Sequence, residues 1–194
     1  MSEKMEKTVL LINACVRKES RTLRLANRVL AHLDGEKREV DLEREALPSL
    51  TGETLARREA LLQSGNLDAP MLRHAHAFAE ADEIVLAAPY WDLSFPAAVK
   101  TYLEHINVVG VTFSYGPDGA PVGHCRAKRL YYVMTAGGPI LPPNHGYAYV
   151  RDLASMFYGI SETVLFSAEL LDVAGSDTEK ILWEAEARID AYFE

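Results

Sequence analysis

Residues 83–106, EIVLAAPYWDLSFPAAVKTYLEHI, constrain the fold more tightly than any other stretch. Ile84 to Ala88 form a short unbroken apolar run, which suits a strand covered on both faces in a parallel sheet, and Pro89 stops it. A turn comes next that exposes Tyr90, Trp91, Asp92 and Leu93. From Pro96 the period becomes helical, with Val99, Tyr102, Leu103 and Ile106 at three- and four-residue spacing. In open α/β sheets ligands sit beyond the carboxyl ends of the strands, where large aromatics can cover a flat ring system. Tyr90 and Trp91 could equally close off the core, so the rest of the chain must decide.

The same alternation runs along the sequence. Residues 8–13 read as a central first strand leading into a loop, and Ser20 as the N-cap of a helix that Gly35 terminates. Residues 37–42 are less apolar and predict a strand nearer an edge. Helices are predicted over 53–63 and 71–81. After the block at 83–106, residues 111–115 alternate, Gly116-Pro-Asp-Gly119 is a turn signature, and 120–123 returns as a small hairpin. Residues 128–135 predict a fourth core strand, 147–158 a helix and 163–171 the last strand. Ser176 opens a closing helix with Ile181, Leu182, Ala185, Ile189 and Phe193 along one side. Strands alternating with helices predict a three-layer, doubly wound α/β fold.

Composition sets outer bounds. At 194 residues with 48% hydrophobic side chains, the chain fits one domain, residues 1–194, with a real core. A formal net charge of −8 argues against a general nucleic-acid surface. No apolar run approaches the ~20 residues of a membrane span, and the start lacks a signal peptide's apolar core, so no membrane partner and a cytoplasmic location are expected. Cys15 and Cys125 are too few for a disulfide framework and read as free thiols. No metal site is expected: His74 and His76 sit two apart on a predicted helix and do not share a face, and His124-Cys125 lacks partners at ligand spacing.

Three loops lie at carboxyl ends of predicted strands: 14–22, 89–93 and 135–138. In a five-strand order 2-1-3-4-5 the strands before them are neighbours, so the loops line one crevice. Ser20 and Thr22 bring hydroxyls to a helix start whose first amides are unpaired, which favours a phosphate, and Arg17, Lys18 and Arg21 add positive charge. The fragment matches neither G-x-G-x-x-G nor the P-loop, and an ordinary N-cap with solvated basic neighbours is an equal reading. Gly137-Gly138 reads first as a turn, and second as a place for close backbone approach to a ligand. His145 lies beyond that loop; it reads as a surface histidine, or as a group that orients a substrate carbonyl.

Taken together, the opening strand–loop–Ser20-Arg21-Thr22–helix, DLEREALPSL, AAPYWDLSFPAAVKTYLEHI, GVTFSYGPDGAPVG, TAGG and FYGISETVLFSAELL resemble the FMN-dependent NAD(P)H:quinone oxidoreductase and azoreductase family. That resemblance implies a flavodoxin-like fold and a bound FMN. It places Ser20, Arg21 and Thr22 at the phosphate, Tyr90, Trp91, Asp92 and Leu93 at the turn lining the isoalloxazine ring, and Thr135, Ala136, Gly137 and Gly138 around the ring's polar edge. This chain departs from the pattern at Asp92, where Asn is usual, at Ala14, where Ser is common, and at Trp91, where Tyr is usual.

The resemblance also implies a ping-pong cycle in which NAD(P)H gives hydride to the flavin, leaves, and is replaced by a quinone, azo compound or similar flat acceptor. Phe95, Phe113 and Tyr115 are candidates for the acceptor pocket, completed by the partner in a homodimer. A flavodoxin-like electron carrier is the alternative, favoured by the acidic surface. The long segment 43–69 and the hairpin 111–123 favour the enzyme, because both could wall a substrate pocket.

Overall fold

The computed structural model describes residues 7–194. Strand β1 (Thr8–Asn13) shows why the core has two halves: Val9 and Leu11 point into one apolar cluster, Leu10 and Ile12 into the other, and all four are buried. A strand with apolar side chains on both faces needs cover on both sides. Helix α1 (Arg21–His32) supplies cover on one side through Leu25, Ala26 and Val29. The helix stops at His32, capped by Leu33, so Gly35 does not terminate it as the sequence suggested. Gly35 instead makes the turn into β2 (Glu36–Asp41) at φ 118°, where a Cβ would lie 2.2 Å from the carbonyl oxygen of Lys7.

Next come the short helix α2 (Leu42–Glu45), α3 (Gly52–Gln63), which buries none of its residues, and α4 (Arg73–Glu80), preceded by a 3-10 turn at Pro70–Leu72. Strand β3 (Glu83–Ala87) is the buried strand expected from the apolar run, and α5 (Ala97–Ile106) begins after Pro96 with Val99, Tyr102, Leu103 and Ile106 buried. The excursion is a two-stranded antiparallel hairpin, β4 (Phe113–Tyr115) and β5 (Pro121–Gly123). Strand β6 (Arg129–Thr135), helix α6 (His145–Leu153), strand β7 (Glu162–Ala168) and helix α7 (Thr178–Phe193) complete the chain.

Among the described residues five parallel strands pair in the order β2-β1-β3-β6-β7. With the hairpin set aside this is the predicted order 2-1-3-4-5, and β2 is at an edge as its polar sequence required. Several boundaries differ, and three of them change how an element is capped or ended. The helix expected over 147–158 divides into α6 and a π-helical turn, Ala154–Tyr158, which ends at Gly159 in the left-handed region. The closing helix is capped by Asp177, which accepts from the Lys180 N–H at 3.0 Å, not by Ser176. Strand β7 ends at Ala168, because Leu170 turns the chain at φ 65°.

Helix α5 runs from the carboxyl end of β3 back along the sheet, so the hairpin after it lies by the strands' amino ends. Arg126, just beyond β5, donates its N–H to Ala79 O at 2.8 Å, in the helix that feeds β3. Gly123 abuts the backbone of Tyr158 and Gly159 so closely that a Cβ there would lie 2.1 Å from the Gly159 nitrogen.

Candidate functional site

Strand register brings the three loops together. Asn13 pairs with Ala87, Ala87 with Val133 and Thr135 with Ala168, so β1, β3, β6 and β7 end at one edge of the sheet. Backbone bonds then carry the alignment into the loops. Ala14 N–H donates to Ala87 O at 2.9 Å, Ala88 N–H to Val133 O at 3.0 Å and Tyr90 N–H to Thr135 O at 3.0 Å. Asn13, 5% exposed, bends the first loop by accepting the Cys15 N–H on its side-chain oxygen at 2.9 Å. A cavity of ≈ 300 Å³ opens between the loops, walled by residues 15–17 and 19–22, 89–91 and 135–137, and by Leu171 and Asp172.

At one end stands the start of α1. The Leu23 N–H bonds Ser20 Oγ at 3.2 Å and the Arg24 N–H bonds Ser20 O at 3.0 Å. The amides of Arg21 and Thr22 open the first helical turn and have no helical carbonyl four residues back to meet them. Ser20 Oγ, accepting from Leu23, keeps its own proton to donate. Thr22 is 1% exposed and its hydroxyl shares a 2.6 Å hydrogen bond with the Thr135 hydroxyl, which ties the first loop to the third. Arg21 reaches across the mouth to Asp172, with Nη1 to Oδ1 at 2.7 Å. Two amides at a helix start, a hydroxyl and a guanidinium form a donor set suited to a phosphate dianion.

The opposite wall is aromatic and backbone. Tyr90 and Trp91 line it, Trp91 41% exposed. Ala136 N–H is taken by Ala168 O, whereas no bond to the N–H of Gly137 occurs among the described residues, so this amide, in the cavity wall, can meet a polar ring edge. Asp92, Leu93 and Gly138 do not line this cavity. The Trp91–Ser94 turn that holds Asp92 and Leu93 instead divides it from a second, open groove of ≈ 510 Å³. That groove contains Phe95 and His145, with Tyr149 placed 5.9 Å from Phe95 between ring centroids. Phe113 and Tyr115 line neither; they stack edge-to-face with one another in the hairpin at the other end of the sheet.

Asp172 and Leu171 also wall the main cavity, and neither was among the residues that the sequence pointed to as site residues. Their only signal was position, just past the carboxyl end of a central-sheet strand. Burial pushes the Cys15 thiol above its ordinary value, so the sulfur stays protonated at neutral pH and is no nucleophile. Cys15 and Cys125 are both free and buried.

The chain matches the family described as flavodoxin-like fold over residues 7–193. It is 36% identical over 177 residues to an FMN-dependent NADH:quinone oxidoreductase of Coprothermobacter proteolyticus, covering 86% of this chain and 87% of that one. A second protein of that description, from Clostridium acetobutylicum, is 39% identical over 148 residues, with 74% and 72% covered. Among solved structures, an azoreductase from Bacillus anthracis superposes with a TM-score of 0.80 at 22% identity, over 96% of this chain and 98% of that one. An FMN-dependent NADH-azoreductase from the same species, in complex with FMN, superposes with a TM-score of 0.79 at 17% identity, over 96% and 97%. At these identities the structural likeness concerns the fold.

Proposed function

We propose, from the premise that this chain belongs to the flavodoxin-like family of FMN-dependent NAD(P)H:quinone oxidoreductases and azoreductases, that it is an FMN-dependent oxidoreductase moving two electrons from NADH to a quinone, an azo compound or a similar flat acceptor. The observation that carries this reading is a cavity joining a phosphate-type donor set at the start of α1 to the aromatic wall of Tyr90 and Trp91 and the free amide of Gly137. When bound, FMN supplies the hydride chemistry. Ser20, Arg21 and the amides of Arg21 and Thr22 hold its phosphate. Tyr90 and Trp91 would confine the ring, and the amide of Gly137 would meet its polar edge. The bond between the Thr135 and Thr22 hydroxyls ties the phosphate-side loop to the ring-edge loop.

No side chain in the wall has to act as a nucleophile, and burial keeps Cys15 from being one. Donor and acceptor use the same opening in turn, which is the ping-pong order. The groove bearing Phe95, His145 and Tyr149 adjoins that opening and supports a place for the acceptor's outer portion. Because Phe113 and Tyr115 lie at the other end of the sheet, their part in the acceptor pocket requires a second subunit, and a homodimer is the assembly proposed. Purified protein loaded with FMN and mixed anaerobically with NADH, and separately with NADPH, should lose its flavin absorbance and regain it on adding a quinone. Failure to oxidise either nucleotide with any quinone would overturn the reading; bound flavin that neither nucleotide reduces would favour the electron carrier.

A further inference from the structure

The carboxylate of Asp172 faces the start of α1 across the mouth of the main cavity, and the backbone fixes it there. In the turn after β7, Leu170 N–H donates to Gly138 O at 3.1 Å, Leu171 N–H to Ala136 O at 3.2 Å and Asp172 N–H to Gly137 O at 2.9 Å. This fastens the turn to the glycine loop. The side chain then rests on Gly137, where a Cβ would lie 2.4 Å from Oδ2, so the absence of a side chain at 137 is what admits the carboxylate. Oδ1 takes Arg21 Nη1 at 2.7 Å, with Leu171 O 3.5 Å from the same nitrogen. Among the described residues no hydrogen bond occupies Nε or Nη2 of Arg21, and Arg21 lines the cavity.

We infer that Asp172 is a positioning residue for the cofactor phosphate: it holds one corner of the Arg21 guanidinium so that the remaining edge meets the phosphate at the start of α1. The inference rests on the FMN reading and extends it to how the phosphate is recognised. A guanidinium is a planar fork of donors, and engaging Nη1 on a fixed carboxylate leaves the Nε–Nη2 edge for a two-point contact with phosphate oxygens. An arginine already ordered loses less freedom when the ligand arrives. The negative charge of Asp172 also repels the phosphate, but its side chain is 56% exposed and that of Arg21 35%, so water and salt weaken the repulsion more than they disturb a directional hydrogen bond. Orientation therefore outweighs repulsion.

The test compares FMN with riboflavin, which lacks the phosphate, in flavin-fluorescence titrations of wild-type, Asp172→Ala, Arg21→Gln and the double variant. Asp172→Ala is expected to weaken FMN binding about 3- to 10-fold, leave riboflavin affinity unchanged and cause no further loss in the Arg21→Gln background. An exposed ion pair contributes little to folding, so the variant should melt with the wild-type apoprotein. FMN binding that is unchanged or tighter in Asp172→Ala, or an equal loss for riboflavin, would overturn the inference while leaving the FMN reading intact. A wild-type chain that binds neither flavin would overturn both.

Discussion

At the scale of single residues, the site carries backbone strain at an identifiable place. Trp91 N–H bonds Ser94 O at 3.1 Å and Ser94 N–H bonds Trp91 O at 2.8 Å, which closes a two-residue turn over Asp92 and Leu93. Their φ angles are 51° and 66°. Such a turn favours Asn-Gly, because both central residues must enter the left-handed region. Asp tolerates it with its short polar side chain, whereas Leu gains nothing to offset a cost of about 1–2 kcal/mol. The strained turn presents Trp91 and separates the cavity from the groove, in line with the tendency of strain to collect at working sites. Leu93→Gly is therefore expected to stabilise the apoprotein by about 0.5–1 kcal/mol, after subtracting the extra unfolded-state freedom of glycine. Urea denaturation measures this, and a lower midpoint in the variant would refute the strain. The departure at Asp92 was visible in the sequence; the handedness of Leu93 was not, since an Asp-Leu pair carries no turn signature.

At the scale of elements, α1 must hold its amino end still, and α7 braces it from behind. Arg24 bonds Glu186 at 2.8 Å and Glu179 at 2.8 Å, and His32 Nε2 meets Asp190 at 2.7 Å while its ring stacks on Phe193. Arg28 and His32 together hold the Asp190 carboxyl down at about 2, against an ordinary 3.8. A carboxylate whose folded value is depressed adds stability above its unfolded value and loses it as pH falls through the folded one. Asp190→Asn should thus lower stability at neutral pH, and its deficit against wild type should shrink between pH 4 and about 2. Parallel pH–stability curves for the two chains would show that the brace does not depend on this charge. The acidic and basic partners were all in the sequence, but the ladder joins residues about 160 positions apart, and no local pattern relates them. The elements themselves were legible because apolar runs and helical stripes are local; the π-helical turn and the Asp177 cap were missed because neighbouring residues satisfied the same rules.

At the scale of the whole molecule, the two ends of the sheet have different contents. The carboxyl ends hold the cavity and the groove, and the amino ends hold the hairpin with Phe113 and with Tyr115, which is 57% exposed. Phe113 and Tyr115 are expected at the acceptor pocket with a partner subunit completing it; α/β connectivity predicts which strands are neighbours, whereas the side on which an excursion lies is set by the direction of α5. One chain cannot bring Tyr115 to its own cavity without dismantling the anchor at Gly123. A two-fold dimer can bring each hairpin to the other subunit's opening, since an isologous interface exchanges the same pair of surfaces twice. Mixing experiments separate these cases. Take one variant that cannot hold the phosphate, Arg21→Glu, and one that keeps the cofactor but lacks the hairpin aromatic, Tyr115→Ala. Each alone should turn over acceptor poorly. In a dissociated and reassembled equal mixture, each mixed dimer has one cavity with an intact phosphate site and an intact hairpin from its partner, so about a quarter of all sites should work. Recovery to that level places the hairpin in trans. No recovery above the mean of the two variants, with mixed dimers shown to have formed, would confine the acceptor pocket to residues of one subunit, with Phe95 and Tyr149 as its aromatic walls.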